Sequence, residues 1–540
     1  MKNYLEVGAF RCGRATHFDV HVKDTDMLRI FPIDITNPDH FTVTLELVPG
    51  REASGRAVDI VMGIARDAFS DGRVSAVSIT DNPGGNPSLS PDVLGHNIFE
   101  LGMDVIVHFT CRDSNRVGME SRALQLAMMG MKNILALNGD YAGKGFGGQG
   151  APVFDIDSVQ LQIMLGLLSE RINASGDPEG FFAGCAVSPF KSTEGECFAQ
   201  YAKLCRKVAA GAQFVITQLG YDVRKFKELL QIEKIMGISL PTLGSVYVLT
   251  PKAASIINSG NVPGAVVTDA LLKRVKEEWR DPASGRRASI ERAARLAAVL
   301  KGLGYAGIHI EGIHRDFDTA GRILDRFAEI QDQWKDFLAD FDFPQPGGFY
   351  AFSAQAEDGD QRPLFGKNPP QITMLERLRY SMLRGVHNTF FDPRHPLAPL
   401  YRILSKPVDR MPVGGLLLRL VEDIPKRAIL GCQRCGDCAI QHVGFLCPES
   451  QCAKHIRNGA CGGSRNGRCE VFPDRPCVWD RAYNRMANAK TTRQLSEGCV
   501  PPRMWELNHT SAWLNFYLQR DHQGPTNEVA QRCRVAGCGL

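Results

Sequence analysis

The stretch DVIVHFTCRDSNRVGMESRALQLAMMGMKNILALNG, residues 104–139, contains one complete strand–helix–strand unit. Its two ends, DVIVHFT and NILALNG, are short and apolar almost throughout, which is typical of parallel strands that are covered by helices. The residues between them have the length and the amphipathic pattern of a helix. The segment therefore predicts an α/β fold built on a parallel sheet.

The same unit recurs over most of the first 315 residues. Eight runs have the composition of buried strands: 41–48, 74–80, 104–110, 133–139, 181–189, 214–220, 240–248 and 307–313. Eight strand–helix units in about 300 residues predict a closed (β/α)8 TIM barrel. The alternative is an open doubly wound sheet, but no G-x-G-x-x-G motif follows the first strand, which argues against it.

Length and composition limit the class of protein. A chain of 540 residues is too long for one ordinary domain core. Its 44% hydrophobic and 23% charged residues exclude collagen, coiled-coil and wholly disordered proteins. No apolar run approaches the ~20 residues of a membrane helix, and the N-terminus lacks the apolar core of a signal peptide. We therefore expect a cytoplasmic protein without a membrane span.

Charge and cysteine are concentrated towards the C-terminus. The last 140 residues carry 20 Lys and Arg against 12 Asp and Glu, and they hold 11 of the 16 cysteines. The basic excess is scattered Arg without interleaved aromatic residues, so we do not expect nucleic-acid binding. We predict five segments: an N-terminal extension (1–40), the barrel (41–340), a linker (341–370), a smaller Cys-rich metal- or cluster-binding domain (371–490) and a C-terminal tail (491–540).

Polar side chains stand at the C-terminal ends of the predicted strands, where barrels of this type carry their chemistry. They are Glu46, Thr80, His108, Asp140 and Gln218. Helix capping explains Thr80 equally well. Glu46 is the stronger candidate, because a carboxylate inside an apolar strand is unfavourable unless it has a role. Burial can also raise the pKa of a glutamic acid enough to make it a general acid.

Several of these motifs occur in the order found in a known family. The runs LELVP, AVSIT, VHFTCRD, ILALNGD, LCRKVAAGA and ITQLGYD, within residues 41–315, resemble methylenetetrahydrofolate reductase, a flavin-dependent barrel. The resemblance implies that Glu46 is the general acid and that Asp140 is the carboxylate beside the flavin. It implies flavin contacts for Thr80, His108, Asn138, Gly139, Asp140, Arg206 and Lys207. It implies that Gln218 and Arg315 bind the folate.

The resemblance implies flavin-dependent interconversion of 5,10-methylenetetrahydrofolate and 5-methyltetrahydrofolate in one-carbon metabolism. It leaves FAD and FMN both open. Changes around the expected nicotinamide entry, such as YAGKGFGGQG after Asp140, leave the donor open between NAD(P)H and an acidic carrier such as ferredoxin. Two alternatives remain: an electron-transfer or assembly subunit of a folate reductase complex, and another flavin-dependent barrel, similar to proline dehydrogenase.

The cysteine block begins Cys432-x2-Cys435-x2-Cys438-x8-Cys447-Pro448. Two x2 spacings and a distant Cys-Pro favour a [4Fe–4S] cluster over zinc, whose sites usually show two separated C-x2-C pairs. A second set of wider spacing indicates zinc or a second cluster: Cys452, Cys461, Cys469 and Cys477. The block resembles the C-terminal domain found with some bacterial and acetogen-type methylenetetrahydrofolate reductases. That resemblance implies a metal-bearing domain docked on the barrel. The oligomeric state is left open between a complex with partner subunits and a homo-oligomer.

Overall fold

The computed structural model describes residues 29–176, 179–353, 362–524 and 528–535. Most of the predicted N-terminal extension, residues 1–28, therefore lies outside the described part of the chain. None of the helices within these ranges combines the length and the apolarity needed to cross a membrane.

Eight parallel strands close into a barrel, in the order β1-β10-β9-β8-β7-β4-β3-β2. The barrel strands are β1 Thr42–Leu47, β2 Ala76–Ile79, β3 Val105–Thr110, β4 Asn133–Leu137, β7 Phe182–Val187, β8 Phe214–Thr217, β9 Thr242–Tyr247 and β10 Gly307–Glu311. A small hairpin pairs β5 Lys144–Gly145 with β6 Gly148–Gln149. The predicted TIM barrel is confirmed, since each of the eight predicted runs holds one barrel strand, and the open sheet is wrong.

Helices alternate with the strands and continue through the C-terminal part of the chain. They are α1 Ile30–Thr36, α2 Arg56–Asp71, α3 Pro91–Phe99, α4 Arg116–Met128, α5 Ser158–Ala174, α6 Glu194–Ala209, α7 Val223–Met236, α8 Pro251–Asn258, α9 Asp269–Glu278, α10 Pro282–Leu303, α11 Asp318–Ile330, α12 Met374–Val386, α13 Ala398–Arg410, α14 Pro412–Leu430, α15 Pro448–Gln451, α16 Val478–Asn488, α17 Ala512–Tyr517 and α18 Glu528–Val535.

The bottom of the barrel is closed by α1, which belongs to the predicted extension. Phe31 is fully buried and meets the rings of Phe182 and Phe214 edge-on, at centroid distances of 5.9 and 5.2 Å. The backbone N–H of Phe31 donates to a carboxylate oxygen of Asp104 at 2.8 Å. Because the bottom is filled with aromatic side chains, only the opposite end of the barrel is left for a ligand.

The C-terminal part is helical and Cys-rich, as predicted, and it packs on the barrel helices. Asp157 begins α5 with a capping box, and its second oxygen accepts hydrogen bonds from the backbone N–H groups of Arg457 and Asn458 at 3.2 and 3.0 Å. Phe198 of α6 packs against Tyr483 of α16, with 4.8 Å between ring centroids. These contacts hold the Cys-rich domain beside the C-terminal ends of the strands.

Candidate functional site

A cavity of about 370 Å³ opens at the C-terminal end of the barrel. Eight of the residues predicted from the sequence line it: Glu46, Thr80, His108, Asn138, Gly139, Asp140, Lys207 and Gln218. Arg206 and Arg315 do not line it. Arg206 is buried and donates to the carbonyls of Gln494 and Glu497, both at 3.3 Å, while Arg315 lies on an exposed loop after β10.

Glu46 projects from β1 into this cavity. Burial raises the pKa of Glu46 to about 7, because a charged carboxylate loses its hydration there. Donor atoms of Glu46, His108 and His309 all lie within 4.8 Å of one another. His309 is held in place by Thr44, whose hydroxyl lies 2.7 Å from Nδ1. Near neutral pH, Glu46 is therefore divided between an acid that can donate a proton and a carboxylate.

Asp140 stands on the other side of the mouth, after β4. One of its oxygens accepts a hydrogen bond from the backbone N–H of Gly84 at 3.1 Å. Burial raises the pKa of Asp140, and the nearby ammonium of Lys454 lowers it in part. Glu46 and Asp140 thus face the cavity from two different parts of the barrel, and Asp140 lies next to a cation.

Unpaired polar atoms face the same cavity. Thr80 Oγ1, His108 Nε2 and Gln200 Nε2 are buried and have no hydrogen-bond partner within the described part of the chain. Burial lowers the pKa of His108 to about 4, so its ring is neutral near pH 7. Buried polar groups are normally satisfied, and these three therefore indicate that a polar ligand belongs in the cavity.

The remaining predicted residues make local bonds. Lys207 donates to the carbonyl of Ala186 at 2.6 Å, and Asn138 accepts from the backbone N–H of Ser158 at 2.9 Å. The Gln218 amide donates to the carbonyl of Pro263 at 3.4 Å. Gly139 has a φ of 82°, and a Cβ there would lie 2.9 Å from Thr110 Cβ, so the chain turns closely beneath the cavity.

Glu311 is a cavity residue that the sequence analysis missed. It ends β10, is only 9% exposed, and lines the cavity together with Glu46. A signal was present, because GIHIEGI places a carboxylate within an apolar strand just as LELVP does. Because residues 307–313 are interpreted only as a buried strand, Glu311 is not identified as a candidate site residue.

The Cys-rich domain completes the cavity wall, which sequence reasoning also missed. Lys454, Cys461, Gly462, Gly463 and Glu470 line it. The Lys454 ammonium forms an ion pair with Glu470 and donates to the carbonyl of Gly139 at 2.8 Å. No pattern within the cysteine block indicated which of its faces meets the barrel.

Two family models match the chain: "Methylenetetrahydrofolate reductase" over residues 33–327 and "Methylene-tetrahydrofolate reductase C terminal" over residues 418–506. The chain belongs to the methylenetetrahydrofolate reductase family. The resemblance seen in the sequence is thereby confirmed, and the C-terminal match shows that the cysteine block is part of a known companion region of this family.

Curated relatives of the methylenetetrahydrofolate reductase family are distant. A "Probable methylenetetrahydrofolate reductase (NADPH)" of Caenorhabditis elegans is 25% identical over 210 residues, which is 38% of this chain and 30% of the relative. "Methylenetetrahydrofolate reductase 1" of Schizosaccharomyces pombe is 26% identical over 173 residues, 32% of this chain and 27% of the relative. The matched region thus spans less than a third of either relative.

Solved structures share only a loose likeness with this family member. An uncharacterized protein from Clostridium thermocellum that binds two copies of 5-methyl-5,6,7,8-tetrahydrofolic acid has a TM-score of 0.38 at 12% identity, covering 56% of this chain and 99% of that one. 2,3-Dimethylmalate lyase has a TM-score of 0.32 at 13% identity, covering 57% and 85%.

The first cysteine set surrounds one small cavity in the family's C-terminal region. Its four members, Cys432, Cys435, Cys438 and Cys447, all line a space of about 20 Å³. Burial raises the pKa of Cys435 to about 12 and that of Cys447 to about 11. Cys435 and Cys447 are buried, and Cys432 and Cys438 are partly exposed. Four thiols around one space could hold a metal, whose positive charge would stabilise their thiolates.

The second cysteine set also converges. Burial raises the pKa of Cys452 to about 12, and the neighbouring sulfurs of Cys461 and Cys469 add to this. Burial, then Cys461 and Cys452, raise the pKa of Cys477 further. Cys461 also lines the barrel cavity, so the second set lies directly beside the site.

Zinc and an iron–sulfur cluster require different distances between the cysteine sulfur atoms that bind them. Four thiolates on one tetrahedral zinc lie about 3.8 Å apart, given Zn–S bonds of about 2.3 Å. Among the described cysteines, no three free sulfurs lie within 4.8 Å of one another. A cubane cluster spreads its ligands further, because each thiolate binds a different iron. The described sulfurs are therefore spaced more widely than the ligands of one zinc ion. Elsewhere the structure joins Cys499 to Cys533 in a disulfide.

Proposed function

We propose that this chain interconverts 5,10-methylenetetrahydrofolate and 5-methyltetrahydrofolate at the barrel cavity. The observation that carries the proposal is the placement of Glu46 and Asp140 in one cavity of a chain from this family. The reaction needs a proton donor for a leaving nitrogen and a negative charge for the resulting cation. Glu46, with a pKa near 7, suits the first task, and Asp140 suits the second.

In the reductive direction, the bond between the methylene carbon and one folate nitrogen breaks. That nitrogen takes the proton of Glu46, and the carbon is left as part of an iminium cation. The Asp140 carboxylate is partly buried and stabilises this cation by its charge more strongly than it would in water. A bound flavin supplies the hydride chemistry. We assign the orientation of the pterin ring to the Gln218 amide, which lines the same cavity.

The unpaired polar atoms of the cavity fit a flavin. We assign flavin contacts to Thr80 and His108, whose buried Oγ1 and Nε2 atoms lack partners within the described residues. Lys207 brings a basic side chain to the same wall, and Gly139 lines the cavity without a side chain of its own. Arg206 stays a proposal from the family pattern, because its guanidinium faces the C-terminal segment instead.

We further propose that the first cysteine set binds a [4Fe–4S] cluster and that the second set binds another. A cluster supplies one-electron transfer, which zinc does not. The second set adjoins the barrel cavity through Cys461, which suits electron supply from an acidic carrier such as ferredoxin. The competing proposal is that NAD(P)H reduces the flavin directly. We propose a cytoplasmic location with either electron donor.

One experiment tests the function. The protein is purified without oxygen and assayed for flavin, iron and zinc. Its conversion of methylenetetrahydrofolate to methyltetrahydrofolate is then followed with reduced ferredoxin or with NADH. Bound flavin together with folate turnover supports the proposal. A protein that binds flavin but leaves the folate unchanged with every donor would contradict it.

A further inference from the structure

Glu46 and Glu311 are neighbours across the seam where the barrel closes. Strands β1 and β10 pair in parallel with Leu45 opposite Ile310, so the next residues along, Glu46 and Glu311, stand side by side. Paired residues on adjacent parallel strands point to the same face, and neighbouring strands are about 4.8 Å apart. Both side chains line the barrel cavity.

The groups around this pair bring no compensating cation. His108 and His309 face Glu46, and burial lowers the pKa of these imidazoles to about 4 and about 3, so both are neutral. The Ser245 hydroxyl donates to the carbonyl of Thr217 at 2.6 Å and lowers the pKa of Glu311 in part, and Tyr247 lies near both carboxyls. No Lys or Arg in the described part of the chain lowers the pKa of either acid.

Two carboxyl groups in such a place cannot both ionise at neutral pH. Each carboxylate would lack hydration, and each would repel the other. The first proton leaves the pair near pH 7, which is where burial places the pKa of Glu46. Burial first, and then the charge on Glu46, raise the pKa of Glu311 well above its usual range. The pair therefore titrates as a unit in two widely separated steps.

We propose that Glu46 and Glu311 share a proton, and that Glu311 returns it to Glu46 after each donation to the folate nitrogen. The inference rests on the proposed function and extends it to a residue outside the family pattern found in the sequence. In the step, Glu46 loses its proton to the leaving nitrogen and becomes a carboxylate. The O–H bond of Glu311 then breaks as a new one forms on Glu46, and the single negative charge moves to Glu311. A proton from water then restores Glu311 before the next turnover, so that each cycle consumes one solvent proton. In this step Glu311 acts on the folate only through Glu46, and it is therefore a positioning residue.

The pH dependence has a defined sign. The acid must be protonated to act, so activity falls as the pH rises through the pKa of the last proton. In the native pair that proton is held well above pH 7. With Glu311→Gln, Glu46 is alone, and its proton is lost near pH 7. We expect the alkaline limb of kcat/KM to move to lower pH, with a fall of about tenfold per pH unit above it.

The experiment combines two readouts on the flavin-loaded full-length protein. The first is the pH profile of folate reduction. The second is an infrared pH titration of the carboxylic-acid C=O band, which counts protonated carboxyls without any turnover. Glu311→Gln should remove the acid band that persists above pH 7, and Glu46→Gln should move the loss of that band to lower pH, because the charge on Glu46 no longer raises the pKa of Glu311. The control is Glu233→Gln, because Glu233 is also buried with a pKa of about 7 but bonds Thr242 outside the cavity. It should alter the infrared band near pH 7 and leave the pH profile in place.

The outcomes separate the two proposals. If the native protein reduces no folate, the proposed function is wrong, and the infrared titration still decides whether the pair shares a proton. If Glu311→Gln keeps the native alkaline limb, and the acid band above pH 7 survives Glu311→Gln and titrates at the native pH in Glu46→Gln, the shared proton is refuted. If Glu311→Gln does not fold, Glu46→Gln decides through the infrared band alone.

Discussion

The ammonium of Lys454 donates a 2.8 Å hydrogen bond to the carbonyl of Gly139, the residue directly before Asp140. One residue comes from the Cys-rich domain and the other from the mouth of the barrel. Lys454 also lowers the pKa of Asp140, which burial otherwise raises. The C-terminal domain thus tunes the charge of a barrel carboxylate as well as covering the site.

Replacing Lys454 should therefore move the acid limb of folate reduction. Asp140 acts as a carboxylate, so activity is present above its pKa and is lost as the pH falls through it. Lys454→Met removes the cation that lowers this pKa, and we expect the acid limb to shift to higher pH. The measurement is the pH profile of kcat/KM. Exposed Lys490→Met is the matched control, and an unshifted acid limb for Lys454→Met would exclude the electrostatic role.

Glu46→Gln should abolish folate reduction while flavin binding persists. The amide keeps the shape of the side chain but cannot donate the proton, and loss of a general acid costs about 10²–10⁴-fold in rate. Single-turnover kinetics with reduced enzyme measure the folate step, and an absorbance titration measures flavin binding. Glu233→Gln serves as the control for a buried glutamate away from the cavity. Folate reduction at the native rate would remove Glu46 from the mechanism.

Asp140→Asn should slow folate reduction more than it weakens flavin binding. The amide can still accept the hydrogen bond from Gly84 but carries no charge to stabilise an iminium cation. Loss of one such electrostatic contact costs about 10²–10³-fold in the folate half-reaction. Rapid mixing of reduced enzyme with folate gives this rate. An unchanged rate would leave Asp140 a purely structural acceptor.

Cys432→Ser or Cys447→Ser should lower the iron content of anaerobic protein by about four atoms per chain. Each removes one ligand from the first cysteine set and leaves the second set intact. Metal analysis and the visible spectrum measure the loss. Cys111→Ser is the control, since Cys111 is a buried free cysteine of the barrel. Native protein with stoichiometric zinc and no iron would show that our reading of the sulfur spacing is mistaken.

The sequence predicted the barrel well, because strand runs such as DVIVHFT are apolar on both faces and only a helix-covered parallel sheet buries both. It also predicted Glu46 and Asp140, since strand ends converge in a closed barrel whatever the loops do. The sequence did not predict long-range packing. The position of Lys454 depends on how the Cys-rich domain docks, and the partnership of Glu46 with Glu311 depends on the register at which the first and last strands close the barrel.

The cavity wall formed by Cys461 and Glu470 lies more than a hundred residues beyond the last barrel strand. A chain emerging from the ribosome therefore finishes its barrel well before it can finish its pocket, because domains fold in the order in which they are synthesised. During that interval the Cys-rich domain does not cover the C-terminal end of the barrel, so a large ligand can enter. A cofactor bound during that interval would be enclosed when the C-terminal segment arrives.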